Sequence, residues 1–133
     1  MAIKERINEF VEWVKVSAKY LTSVKSILSN QIPEYEEEII NHVRLVEAHY
    51  ARVGCLLAEV NGWLDSLTGE TMEEVSASEL KTVREREIKT EQIMSSIRAT
   101  RNKLQILLDA IELRVTLSQS ILKQQRVERR LQG

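Results

Sequence analysis

The sequence has 133 residues, 43% hydrophobic and 29% charged, with four glycines, one proline and a net charge of −1. That profile fits a helical or coiled-coil chain and excludes both a sheet protein and a disordered one. The near-zero net charge excludes a protein that adheres to every anion.

Aromatic residues make up only 5% of the chain, so any core is aliphatic. Cys55 is the single cysteine, which rules out an internal disulfide and fits a reducing compartment. The start, MAIKERINEF, has no apolar signal core, and no run of about 18 apolar residues occurs. These features lead to the expectation of a soluble, cytoplasmic protein with no membrane partner.

Charge is laid out unevenly. Residues 1–33 carry +2, residues 34–78 carry −8 and residues 79–133 carry +5. The acidic middle and basic last third can pair, within a chain or between chains. Alternatively the basic third faces an anionic partner.

The first predicted helix spans about 2–29. Ile3, Ile7, Phe10, Val14, Ser17, Leu21, Val24 and Leu28 alternate spacings of four and three. This heptad stripe specifies a helix with a narrow seam toward a partner helix. Asn30 to Pro33 ends it, because proline lacks a backbone N–H and disfavours helical geometry in the residue before it.

The second predicted helix spans about 34–67, with Pro33 suited to its start. Glu34, Glu36, Glu37 and Glu38 then complement the positive end of the helix dipole. Its stripe is Ile39, Val43, Val46, Tyr50, Val53, Leu57, Val60, Leu64 and Leu67. Thr68-Gly69 is the expected stop, with glycine as the cap. Gly54 and Gly62 each cost about 1 kcal/mol relative to alanine. That cost points to close helix packing, or to a kink at Gly62.

Residues 69–78, GETMEEVSAS, read as the one real loop, with Ser76 or Ser78 capping a third helix over about 79–130 and Glu79 completing a capping box. The third stripe runs Leu80, Val83, Met94, Ile97, Leu104, Leu108, Ile111, Val115 and Leu122, interrupted at Glu87 and Thr90. Ile93, Leu107, Leu117 and Ile121 widen it. At 1.5 Å per residue the three helices would be roughly 40, 50 and 75 Å long. The third would then overhang the others and leave residues 104–122 uncovered. Leu104, Leu107, Leu108, Ile111, Val115 and Leu122 are therefore the expected oligomer interface. The alternative is a monomeric bundle in which the third helix breaks near residue 98 and folds back. The expected fold is all-α: one domain over 1–133 of three long amphipathic helices, a bundle or coiled coil, homo-oligomeric through the last helix.

The search for chemistry finds little. His42 and His49 share a face but lie about 10 Å apart along the axis, too far for one zinc. Cys55 sits one place from a core position, with no base nearby in sequence, and reads as a small semi-buried hydrophobe. The acidic run at 34–39 is explained by helix-start electrostatics. No phosphate loop, GxSxG or dinucleotide fingerprint is present. An enzyme, a metal site and a cofactor are not expected.

The cations are more informative. Arg84, Arg86, Lys89, Arg98, Arg101, Lys103 and Arg114 run along the third helix, and Lys123, Arg126, Arg129 and Arg130 cluster at its end. On the first helix Lys15, Lys19 and Lys25 alternate with Trp13 and Tyr20. Cations beside exposed aromatics suit single-stranded nucleic acid, where backbone charge and base stacking bind without sequence preference. The candidate nucleic-acid residues are thus Trp13, Lys15, Lys19, Lys123, Arg126, Arg129 and Arg130. The plainer account is that the terminal cations complement the helix dipole and that Trp13 and Tyr20 widen the buried stripe.

The segment SELKTVREREIKT (78–90), the helix RNKLQILLDAIELRVTLSQSILKQQ (101–125) and a final glycine resemble phage recombination mediator proteins of the UvsY type. The likeness covers roughly the last 55 residues. It implies a ring-like homo-oligomer assembled through C-terminal helices, located in the host cytoplasm. It also implies binding to single-stranded DNA, to the single-strand-binding protein and to a RecA-like recombinase, which the oligomer helps to load without bond chemistry. Leu104, Leu107, Leu108 and Ile111 match the oligomerisation positions. One departure stands out: residues 53–80 hold no Lys or Arg, where the family places DNA-contacting cations near the end of its second helical region. Two readings follow. One is a non-enzymatic recombination mediator. The other is a structural or adaptor coiled coil (virion, secretion-associated or inhibitor) docking onto a protein partner.

Overall fold

The computed structural model describes residues 3–77 and 83–132. They form three helices and, among the described residues, no strand: α1 (Ile3–Ser29), α2 (Glu36–Ala77) and α3 (Val83–Gln132). The all-α expectation holds, and the architecture is a three-helix bundle. No helix among the described residues is long and apolar enough to cross a membrane.

Two boundaries differ from the sequence reading. Helix α2 starts at Glu36, where the Ile39 N–H donates to the Tyr35 carbonyl at 2.9 Å. Pro33 therefore belongs to the connector and not to the first turn. Starting at Glu36 places Glu36, Glu37 and Glu38 together in that turn, where free N–H groups favour carboxylates. At its other end α2 runs through Gly69 to Ala77, so the expected loop over 69–78 is helical to residue 77 and Ser76 lies inside α2. A single interior glycine costs only about 1 kcal/mol, and the Glu and Met residues that follow favour helix. Ser78, the alternative cap, and Glu79, the expected partner of Ser76 in a capping box, fall outside the described residues. Helix α3 is 50 residues long without interruption, so the break near residue 98 does not occur.

Pairings between side chains fix the directions. Arg6 meets Ser66, Trp13 meets Glu59 and Tyr20 meets His49, so α1 and α2 are antiparallel. Glu36 at the start of α2 meets Arg126 and Arg129 near the end of α3, so α2 and α3 form a long antiparallel pair. Arg114 of α3 donates to the Leu28 carbonyl of α1. At 1.5 Å per residue the helices measure about 40, 63 and 75 Å.

The main core holds Phe10, Val24, Val46, Val53, Val60, Leu64, Leu67, Met94, Ile97, Leu104, Leu107 and Ile111. Ile7, Val14, Leu21 and Leu28 pack against it from α1 at heptad spacing. Ser118 is fully buried on the same line, with its hydroxyl donating to the Arg114 carbonyl at 2.8 Å. A second, smaller cluster holds Ile39, Val43 and Leu122, with Ile32, Ile40, Val115 and Ile121 around it. Among the described residues, none of α1 contributes to it.

This arrangement corrects the expectation of an uncovered stripe at 104–122. Leu104, Leu107, Ile111 and Leu122 are buried within the chain itself, and Leu108 and Val115 pack half-buried against them. The cover comes from α1 and from the first half of α2: α2 is about 12 Å longer than the sequence boundaries implied, and the resulting antiparallel register sets residues 104–122 beside it instead of past its end. The glycines also behave differently. A Cβ at Gly54 or Gly62 would meet no atom within 4 Å, so close packing does not explain them, and α2 continues through both.

Candidate functional site

The cation–aromatic face of α1 is engaged inside the bundle. Trp13 is half-buried, stacks on Phe10 with ring centroids 6.0 Å apart, and donates its indole N–H to Glu59 at 2.6 Å. Tyr20 shares a hydrogen bond with His49 Nδ1 at 2.7 Å, and the Arg52 guanidinium sits 4.2 Å from its ring centroid. Burial raises the Tyr20 phenol above its ordinary value, with Arg52 opposing. Both rings are half-buried against the core. Trp13 and Tyr20 pack against the core beside the stripe, and Ile27 does so on the same line. Lys15 is exposed and paired with Glu12 at 3.4 Å, while Lys19 is exposed with no ion-pair partner among the described residues. Lys25 is likewise exposed with no ion-pair partner among the described residues.

At the far end of the bundle, antiparallel pairing brings the acidic start of α2 onto the basic end of α3. Glu36 bridges Arg126, at 3.1 Å, and Arg129. The two guanidinium hydrogen bonds hold its carboxyl below the usual range. Gln125 donates to the Glu34 carbonyl at 2.7 Å beside them. Two of the four terminal cations are thus satisfied within the chain. Lys123 and Arg130 are exposed and form no ion pair among the described residues.

A groove opens between α2 and α3 at this end. Its floor is Ile40, Val43, Leu122 and Val127, and its walls carry Arg44, Gln119, Lys123, Arg126 and Arg130. Val127 remains 46% exposed. The wall holds four cations, no carboxylate and no aromatic ring. Glu37 and Glu47, near Arg44 on α2, are exposed and do not line it. A cleft formed by Glu36, Arg126, Arg129 and Arg130 adjoins it. Lys123, Arg126 and Arg130 are among the residues expected from sequence, whereas Ile40, Arg44 and Val127 are not. Arg44 carried a signal, being one of only two cations in the acidic middle of the chain.

The remaining candidates lie apart. His42 is half-buried beside Arg114, with its Nε2 buried and unpartnered. Burial first, and the nearby Arg114 charge second, push its pKa below 6.5. His49 is occupied by Tyr20, and Cys55 is exposed where the sequence suggested half-burial. Among the described residues no three of His, Cys, Asp and Glu gather as a metal site.

No family model, curated protein or solved structure matches the chain.

Proposed function

We propose that the chain is a non-catalytic helical adaptor that docks a segment of a partner protein into the groove between α2 and α3. The groove itself carries this reading. It offers an aliphatic floor with exposed Val127, in a trough between two antiparallel helices whose third side lacks α1. Such a trough has the shape into which a further helix packs side chains. The test is capture of labelled amphipathic peptides by the full chain and by Val127→Asp, a change at an exposed position that leaves the core intact. Loss of binding in Val127→Asp supports the groove. Undiminished binding places docking elsewhere.

A second reading is kept by one observation, the exposed cations Lys19, Lys123 and Arg130, which form no ion pair among the described residues. It is the recombination mediator: an assembly binding single-stranded DNA alongside a single-strand-binding protein and a recombinase. Anisotropy of a labelled oligo-dT strand at two salt concentrations separates the readings. Steeply salt-dependent binding favours the mediator, and no binding at low salt removes it.

A further inference from the structure

The adaptor reading leaves the partner's chemistry open. Resting on that reading, we infer that the groove takes an acidic amphipathic helix. The floor residues are branched or aliphatic, so they form holes for apolar knobs and offer no flat ring on which a base could stack. On α3 the lining positions 119, 122, 123, 126, 127 and 130 recur every three or four residues over about three turns, or roughly 17 Å. A docked helix of that length presents one apolar stripe to the floor and a flank to each wall.

Both walls are positive. Arg44 stands on the α2 side, and Lys123, Arg126 and Arg130 stand on the α3 side. Glu36 neutralises part of this charge from outside, through Arg126 and Arg129. Lys123 and Arg130 keep theirs. A helix with glutamates flanking its apolar stripe on both sides meets complementary charge along each wall. A cationic helix meets repulsion on both. Complementarity of this kind selects partners and speeds their encounter.

Three labelled peptides of about 18 residues test this. They share one leucine stripe and differ in flanking residues: Glu, Gln or Lys. The full chain is expected to bind the Glu peptide about tenfold more tightly than the Gln peptide, with the Lys peptide weakest. The double variant Lys123→Glu/Arg130→Glu changes two exposed, unpaired residues, and its helix content and melting are checked first. It is expected to lose the Glu peptide and gain the Lys peptide.

Equal binding of the Glu and Gln peptides would overturn the acidic partner while leaving the groove as a docking site. Binding of none of the three, with oligo-dT bound through Lys123 and Arg130, would overturn both and assign the groove to nucleic acid. A dimer of the chain that the charge reversal dissociates would make the occupant a second copy, and would also overturn the inference.

Discussion

Trp13 donates its indole N–H to the Glu59 carboxylate at 2.6 Å, tying the middle of α1 to α2. The ring singled out for stacking on nucleic acid therefore helps to hold two helices together. Trp13→Phe keeps the packing on Phe10 and deletes the N–H. Urea unfolding should show a loss of about 1 kcal/mol, with oligo-dT affinity unchanged. A large drop in affinity at full stability would return Trp13 to a binding surface.

Burial of Ile111 inside the monomer sets a second expectation. Ile111→Ala should cost about 2–5 kcal/mol, because the cavity is closed on all sides by the chain's own helices. The melting temperature of the variant should not depend on protein concentration. A concentration-dependent melt would mean that this stripe is completed by a second copy.

The two central glycines of α2 should be improvable. Neither has an atom within 4 Å of where a Cβ would sit. Gly54→Ala and Gly62→Ala should each raise stability by about 1 kcal/mol through better helix propensity. Thermal melts should shift upward by about 4 °C for each. A downward shift would reveal crowding at these positions.

His42 gives the fold a dependence on pH. Its folded pKa lies below 6.5, through burial and then through Arg114, while the unfolded chain titrates at the ordinary value. The unfolded state therefore binds more protons in this window, and stability rises with pH. On acidification, stability should fall as pH passes down through about 6.5, and this contribution levels off below the folded pKa. Urea midpoints measured from about pH 8 to about pH 5 should show the decline, and His42→Gln should flatten it. An equal decline in His42→Gln would assign the effect to other groups.

Glu36 restrains the basic end. Glu36→Gln removes the carboxylate that engages Arg126 and Arg129. Anion binding at this end should tighten, and its salt dependence should steepen. An unchanged salt slope would show that the two arginines are held by something besides Glu36.

The helical stripes were plain in the sequence because each face repeats locally. Phe10, Ser17 and Val24 on α1, and Ile39, Val46, Val53, Val60 and Leu67 on α2, are buried where the heptad spacing placed them. Single residues are weaker signals than a repeating face. Gly69 looked like a cap, and the shorter α2 that followed left the end of α3 seemingly bare. The site was harder to read because it is built from distant residues. Ile40 and Val127 are 87 positions apart, and neither is distinctive alone. The charge blocks announced that acidic and basic segments could meet. Only the antiparallel register shows that a single carboxylate, Glu36, takes two of the four terminal cations.

Helix α1 ends at Ser29, level with Arg114, and α3 continues for about 27 Å beyond that point beside the start of α2. Over this stretch the bundle is two helices thick and rests on the small cluster around Ile39, Val43 and Leu122. Its amide hydrogens should exchange through local opening well before those of the main core, because fewer contacts hold the segment closed. A helix seated in the groove would supply the missing third rod. The slowest-exchanging part of the molecule would then extend to the very end that is least protected in the free chain.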